Sequence, residues 1–211
     1  MGHRAEDPAG RIFVHSSHRV RHIEKSVQLS RRSACTGADL SNARPHQIAG
    51  LHHQKLRPVQ TADAVAERTG GAPAAAIELP DGTVVTGKNG PLLGAASSAL
   101  LNALKKLAGI DHEIDLVSAR AIEPIQTLKT NYLGGKNPRL HTDEILIALS
   151  SSAADNEQAA AAMHQLPNLK GCDVHSTVLL SGVDTSTLNR LGMYLTCDPV
   201  YEEEDRKYHK Q

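Results

Sequence analysis

Two short β-type runs, over 74–79 and 83–86, flank Pro80, Asp81 and Gly82. An Asp-Gly step between such runs predicts a β-hairpin, because glycine reaches the positive φ that a tight turn demands. The period then changes. Leu93, Ala96, Leu100, Leu104 and Leu107 recur at three- and four-residue steps, with Lys105 and Lys106 off that line and Gly109 placed to end a helix. Residues 114–117 read as a short buried strand. The spacing predicts a second helix over 124–133, since proline is tolerated in a first turn, and Gly134 and Gly135 stop it. Thr142 is expected to cap a third helix along Ile145, Leu146, Leu149 and Ala153. Asp155 and Gln158 resemble a capping box that opens an alanine-rich helix through Met163. A central strand is expected over 174–180 and another over 193–196, with a short helix over 185–191 between them. One more short helix, over 61–68, precedes the hairpin.

Strands alternating with helices predict an α/β fold: a three-layer sandwich whose mixed, mostly parallel sheet is opened by the hairpin. The chain has no Trp and one Phe, at position 13, so the core must be aliphatic, with Tyr132 and Tyr194 its expected aromatics.

The net charge of zero hides two opposite halves. Residues 1–58 hold ten Lys/Arg against four acids, so the remainder carries the balancing negative charge. Seven of the twelve histidines fall in that first segment, and no apolar period runs through it. Such a segment cannot bury enough apolar area to offset a backbone ordering cost of roughly 1–2 kcal/mol per residue. The expected organisation is a disordered or non-native segment over 1–58, an α/β domain over 59–199 and a charged tail over 200–211. An abrupt change from His/Arg/Ser/Pro-rich to patterned sequence is also what translation from a wrong frame or start produces. A basic arm can neutralise nucleic-acid phosphates, but these charges are scattered and no aromatics interleave to stack on bases, which argues against that partner. No stretch approaches the roughly 20 apolar residues of a membrane helix, and the N-terminus lacks a signal-peptide core. Three widely spaced cysteines, Cys35, Cys172 and Cys197, suit a reducing compartment, so a cytoplasmic location is expected.

Gly82 to Lys88 matches a phosphate-binding P-loop as far as the lysine, then offers Asn89 where Ser or Thr should hold magnesium. Its β-branched middle reads instead as the second hairpin strand, which leaves Lys88 as a candidate ligand-binding residue only. Cys172 and His175 have a spacing that a metal could use, with His141 or Cys197 to complete the set, yet no second close pair exists and no metal is expected. The zinc-deaminase motif is absent.

The segment 136–144 delivers Lys136, Asn137, Arg139 and His141 into a helix N-terminus beside Asp143 and Glu144. Cations and free N–H groups there favour a phosphate or carboxylate, whereas the two acids oppose it; a capped helix behind a salt-bridged loop is the plainer reading. His175, Ser176 and Thr177, polar residues in an apolar strand, are expected to face the same place. A triad of Ser176, His141 and Asp143 can be written, but Ser176 lacks the glycine-flanked elbow that presents a nucleophile. No cofactor is indicated. A homo-oligomer and a small anionic ligand are the partners that fit.

Residues 72–88, the helix around 92–109, Ile122-Glu123-Pro124-Ile125, the 136–144 segment and residues 171–177 together resemble the C-terminal third of a bacterial family, uncharacterised protein family 0371 (domain of unknown function 1846). The resemblance runs from about Val65 to Pro199. It implies a multidomain cytoplasmic protein whose last part is a three-layer α/β sandwich of deaminase-like topology without the zinc motif. The family's Rossmann-like N-terminal region, with its glycine-rich loop, has no counterpart in residues 1–60. The resemblance supplies no activity; some relatives carry a peptidase label, for which neither a nucleophile elbow nor a His-Glu-x-x-His motif is found. A truncated or frameshifted member without catalytic activity of its own is therefore the leading expectation.

Overall fold

At the hairpin the turn chemistry is met in full. Gly82 sits at φ +79°, and Asp81 Oδ1 accepts the Thr83 N–H at 2.8 Å. Strand β1 (Ala74–Glu78) thereby pairs antiparallel with β2 (Val84–Lys88), Ala76 opposite Thr86. The P-loop-like residues are thus strand, as their β-branching requires. In this computed structural model, residues 57–202 are described. The segment over 1–56 and the tail beyond 202, where disorder and a charged tail are expected, lie outside the described residues.

The elements follow in the order α1 (Arg57–Arg68), β1, β2, α2 (Ala95–Ala108), α3 (Ala119–Thr127), a π-helical turn (Leu128–Tyr132), α4 (Thr142–Ser152), α5 (Glu157–Met163), a 3-10 turn (Leu166–Leu169), β3 (Asp173–Ser176), α6 (Gly182–Arg190) and β4 (Tyr194–Cys197). The sheet order is β2-β1-β3-β4. The fold is α/β with a mixed sheet, but the sheet is not mostly parallel. β1 pairs antiparallel with both β2 and β3, and only β3 and β4 run parallel. The reason lies in the connections. The β1–β2 hairpin reverses the chain, the helical run from α2 to α5 brings it back as β3 in the same sense as β2, and a single helix, α6, carries β3 over to β4 as a parallel crossover needs.

Successive β1 residues alternate between two covered faces, and Ala74 through Ile77 are all buried. Ala75 and Ile77 join the main core with Ala99, Leu100 and Leu104 of α2, Ile145 and Leu149 of α4, Leu188 of α6 and the strand residues Val174 and Leu195. Ala74 and Ala76 point the other way, toward Ala62 and Val65 of α1, which packs on β1, β2 and β3. Small residues bring α2 close to the sheet. A Cβ added at Gly87 would lie 2.1 Å from Ala99 N and 2.6 Å from Ala95 O, so no other residue fits there.

Several expectations change. Residues 114–117 form no strand: Leu116 and Val117 are buried in an irregular loop, and burial of an apolar pair requires no ladder partner. The second helix begins at Ala119, which puts Pro124 inside it, and Tyr132 stands 78% exposed rather than in the core. His141, not Thr142, occupies the N-cap position of α4, and Thr142 is its fully buried first residue. Asn156 rather than Asp155 caps α5, accepting from Gln158 N at 2.9 Å and Ala159 N at 3.2 Å. β3 leaves the sheet at Ser176, four residues before the expected end. Among the described residues no helix is long and apolar enough to cross a membrane.

Candidate functional site

The turn before α4 is clamped from several sides. Asn137 Oδ1 accepts the Arg139 N–H at 3.0 Å, a local bond that competes with regular structure and shapes the turn. Lys129 Nζ donates to Arg139 O at 2.7 Å and pairs with Glu144 Oε2 at 2.8 Å; the same Glu144 oxygen accepts the His141 N–H at 2.7 Å. Glu144 therefore serves the helix end rather than opposing an anion. Arg139 donates through Nε to Gly90 O at 3.0 Å and through Nη1 to Glu202 Oε1 at 3.0 Å. Asn89 Nδ2 donates to the same Glu202 oxygen at 2.7 Å, and Asn89 Oδ1 accepts from Ala95 N at 2.7 Å, at the mouth of α2.

Beside this turn lies a His–carboxylate pair. His141 Nδ1 is 2.9 Å from Asp184 Oδ2, and Thr142 N–H donates to Asp184 Oδ1 at 2.8 Å. Ser181 Oγ donates its hydrogen to Asp184 Oδ2 at 2.8 Å, and accepts from Asp184 N at 3.1 Å as the cap of α6. With that hydroxyl hydrogen committed, His141 is the donor toward Asp184, so its proton sits on Nδ1 and Nε2 is left as the exchangeable nitrogen. Hydrogen bonding to Asp184 raises the His141 pKa from its ordinary 6.5, against the lowering effect of burial. Burial alone would raise the Asp184 carboxyl, but the hydrogen bonds from His141, Thr142 and Ser181, together with the His141 charge, outweigh it and hold the pKa below 3.8.

Between pair and turn is a cleft of about 60 Å³, bordered by Asn89, the α2 start at Ala95 to Ser97, Arg139, His141, Ser181 and Glu202. It has room for one small group and none for a drug-sized molecule. At the α2 entrance the first-turn amides of Ala96 and Ser97 have no intrahelical acceptor, so they can meet negative charge.

Of the residues singled out from the sequence, Asn137, Arg139 and His141 border this cleft, and Lys136 and Asp143 do not. Asp143 Oδ1 accepts the Glu144 N–H at 2.8 Å. Lys88, at the end of edge strand β2, borders a different groove with Arg68 and His112. His175 points from the α1 face of the sheet, because it lies opposite Ala76 in the register. Ser176 Oγ donates to Val178 O at 2.8 Å, and Thr177 Oγ1 bonds to the Ala74 N–H at 3.0 Å. The triad of Ser176, His141 and Asp143 is not assembled; the carboxylate of His141 is Asp184. Cys172 joins the core on the face opposite His175, and burial, then Asp173 and Glu78, pushes its thiol up to about 11, which makes it a poor metal ligand. Asp184 and Ser181 were not singled out, although Ser-x-x-Asp ahead of a helical run is a visible cap signal. Nothing local in the sequence ties Asn89 or Glu202 to Arg139.

Residues 54–207 match the family model described as the C-terminal part of domain of unknown function DUF1846. The chain belongs to this family. A UPF0371 protein of Corynebacterium aurimucosum is 53% identical over 163 residues, covering 77% of this chain and 32% of the relative. UPF0371 protein cu0538 of Corynebacterium urealyticum is 57% identical over 152 residues, covering 72% and 30%. UPF0371 protein str1377 of Streptococcus thermophilus is 48% identical over 161 residues, covering 76% and 32%. The chain thus spans about a third of the length of these curated UPF0371 relatives. None of these descriptions names a reaction, so the function of the DUF1846 domain must be argued from its side chains.

Proposed function

We propose that this domain binds a small anion, of carboxylate or phosphate size, in the cleft between the α2 entrance and the 136–141 turn, with His141 placed to exchange a proton with it. The observation that carries the reading is Glu202. The chain already sets one carboxylate oxygen on both Arg139 and Asn89, at 3.0 and 2.7 Å, at the edge of the cleft. Donors arranged to take a carboxylate from the chain can take one from a ligand. Arg139 anchors the anion, the first-turn amides of α2 meet its oxygens, and the Asp184-oriented His141 supplies or removes a proton through Nε2. We place the protein in the cytoplasm on the odd number and wide spacing of its cysteines.

A thermal-shift titration with acetate, inorganic phosphate and sulfate on wild type, Arg139→Ala and Glu202→Gln tests the reading. Glu202→Gln removes the internal competitor and should respond at lower anion concentration than wild type, while Arg139→Ala should not respond. Equal responses in all three proteins, or none, would sink it.

A further inference from the structure

On the opposite face of the sheet, three side chains from three elements converge. Asp63 comes from the middle of α1, His175 from β3 and Asp198 from just beyond β4, and one ligand-type atom from each lies within 4.8 Å of the others. We propose that Asp63, His175 and Asp198 form a binding site for a divalent cation of the manganese or zinc class.

The local geometry sets up the imidazole. Thr196 Oγ1 donates its only hydrogen to Val174 O at 3.2 Å, so toward His175 Nδ1, 3.0 Å away, it can only accept. The proton of a neutral His175 therefore resides on Nδ1, and the lone pair on Nε2 points at the carboxylates. This is the arrangement by which a second polar group orients a histidine ligand. Nε2 lies 3.7 Å from Asp198 Oδ1, longer than a hydrogen bond but suited to two ligands sharing one ion. Ligands about 2.1 Å from a metal are separated by at most about 4.2 Å, so closure from the present spread needs a side-chain movement of well under an ångström.

The frame around the cluster is rigid on one side and open on the other. His175 is 4% exposed and Asp198 42% exposed, so the imidazole is fixed while the carboxylate side admits an ion with its water. Asp198 is also held by its backbone, its N–H donating to Ser176 O at 2.9 Å. The site stands at the carboxyl ends of the two parallel strands, where open α/β sheets place ligands. Two carboxylates and one imidazole match the oxygen preference of manganese and the tolerance of zinc for mixed nitrogen and oxygen ligands. Three protein ligands leave positions for water, as in sites where a metal acts on a substrate rather than only on the fold.

The full chain, stripped with EDTA and exchanged into chelator-free buffer, is titrated with manganese(II) chloride by calorimetry, and amide NMR signals are followed for paramagnetic broadening. Manganese is the primary probe because seven of the twelve histidines lie in residues 1–58 and would collect zinc. The expected result is one manganese site whose broadening centres on Ala62, His175 and Thr196. Affinity should fall at least on the order of tenfold to a hundredfold in Asp198→Asn and Asp63→Asn. Because His175→Gln can fail to fold, the half-buried Asp198 is the decisive substitution, and its metal-free melting temperature should stay near that of wild type. Unchanged affinity in both Asn variants, or broadening confined to other residues, overturns the proposal.

Discussion

Asp184 ties the start of α4 to the start of α6. It accepts from His141, Thr142 N–H and Ser181 while nearly buried, so truncation strands three donors at once, the histidine among them. Asp184→Ala is expected to cost on the order of 3 kcal/mol, measured by urea denaturation, whereas Asp184→Asn should cost less because the amide keeps one acceptor. The pair also gives stability a pH signature. The raised His141 pKa adds stability that is complete below 6.5 and is lost as pH rises through the raised value. The lowered Asp184 pKa adds stability present above 3.8 and lost as pH falls through the lowered value. Denaturation midpoints measured across the pH range should therefore plateau between those limits and decline above, and His141→Gln should abolish the alkaline decline. A decline that survives in His141→Gln would assign it to another group.

At the scale of elements, the contact of β2 with α2 is the tightest in the fold. Gly87→Ala must push a methyl into Ala99 N and Ala95 O, and both are backbone atoms that cannot rotate aside. The expected loss is about 3 kcal/mol, or failure to fold, read as soluble yield and melting temperature. The hairpin beside it was legible because Asp81 and Gly82 act within four residues, and so was α2, because its apolar line keeps one period. What escaped notice has a different physical character. That β3 runs antiparallel to β1 follows from the hairpin, which reverses the chain before the helical run carries it on in the sense of β2, and not from any residue of β3. Residues 114–117 carry a strand's composition, but Leu116 and Val117 bury their side chains from an irregular loop, which needs no ladder partner. The candidate site divides in the same way. Arg139 and His141 announce themselves in one short charged turn, while Asp184 reaches His141 from 43 positions away, and Asp198 approaches His175 only through strand pairing.

Across the whole molecule, the two sides of the sheet are unequal. One carries a deep aliphatic core under α2, α4, α5 and α6, and the other a thin alanine-and-valine seam under α1. Hydrogen exchange should be slowest in β1 and β3, which pair on both edges, and faster in β2 and β4, which pair on one. Amides of α1 should open before those of α2, and exchange resolved by NMR or mass spectrometry checks that order. If α1 proves as protected as α2, the seam is stronger than its side-chain volume implies. Glu202 adds a consequence for the chain's end. The segment after β4 is tied back by Leu179 N–H to Val200 O at 2.8 Å and by the grip of Arg139 and Asn89 on Glu202. Whatever takes the place of Glu202 removes one of those two ties, so cleft occupancy and protease sensitivity after Pro199 should rise together, making limited digestion a direct gauge of whether the cleft is filled.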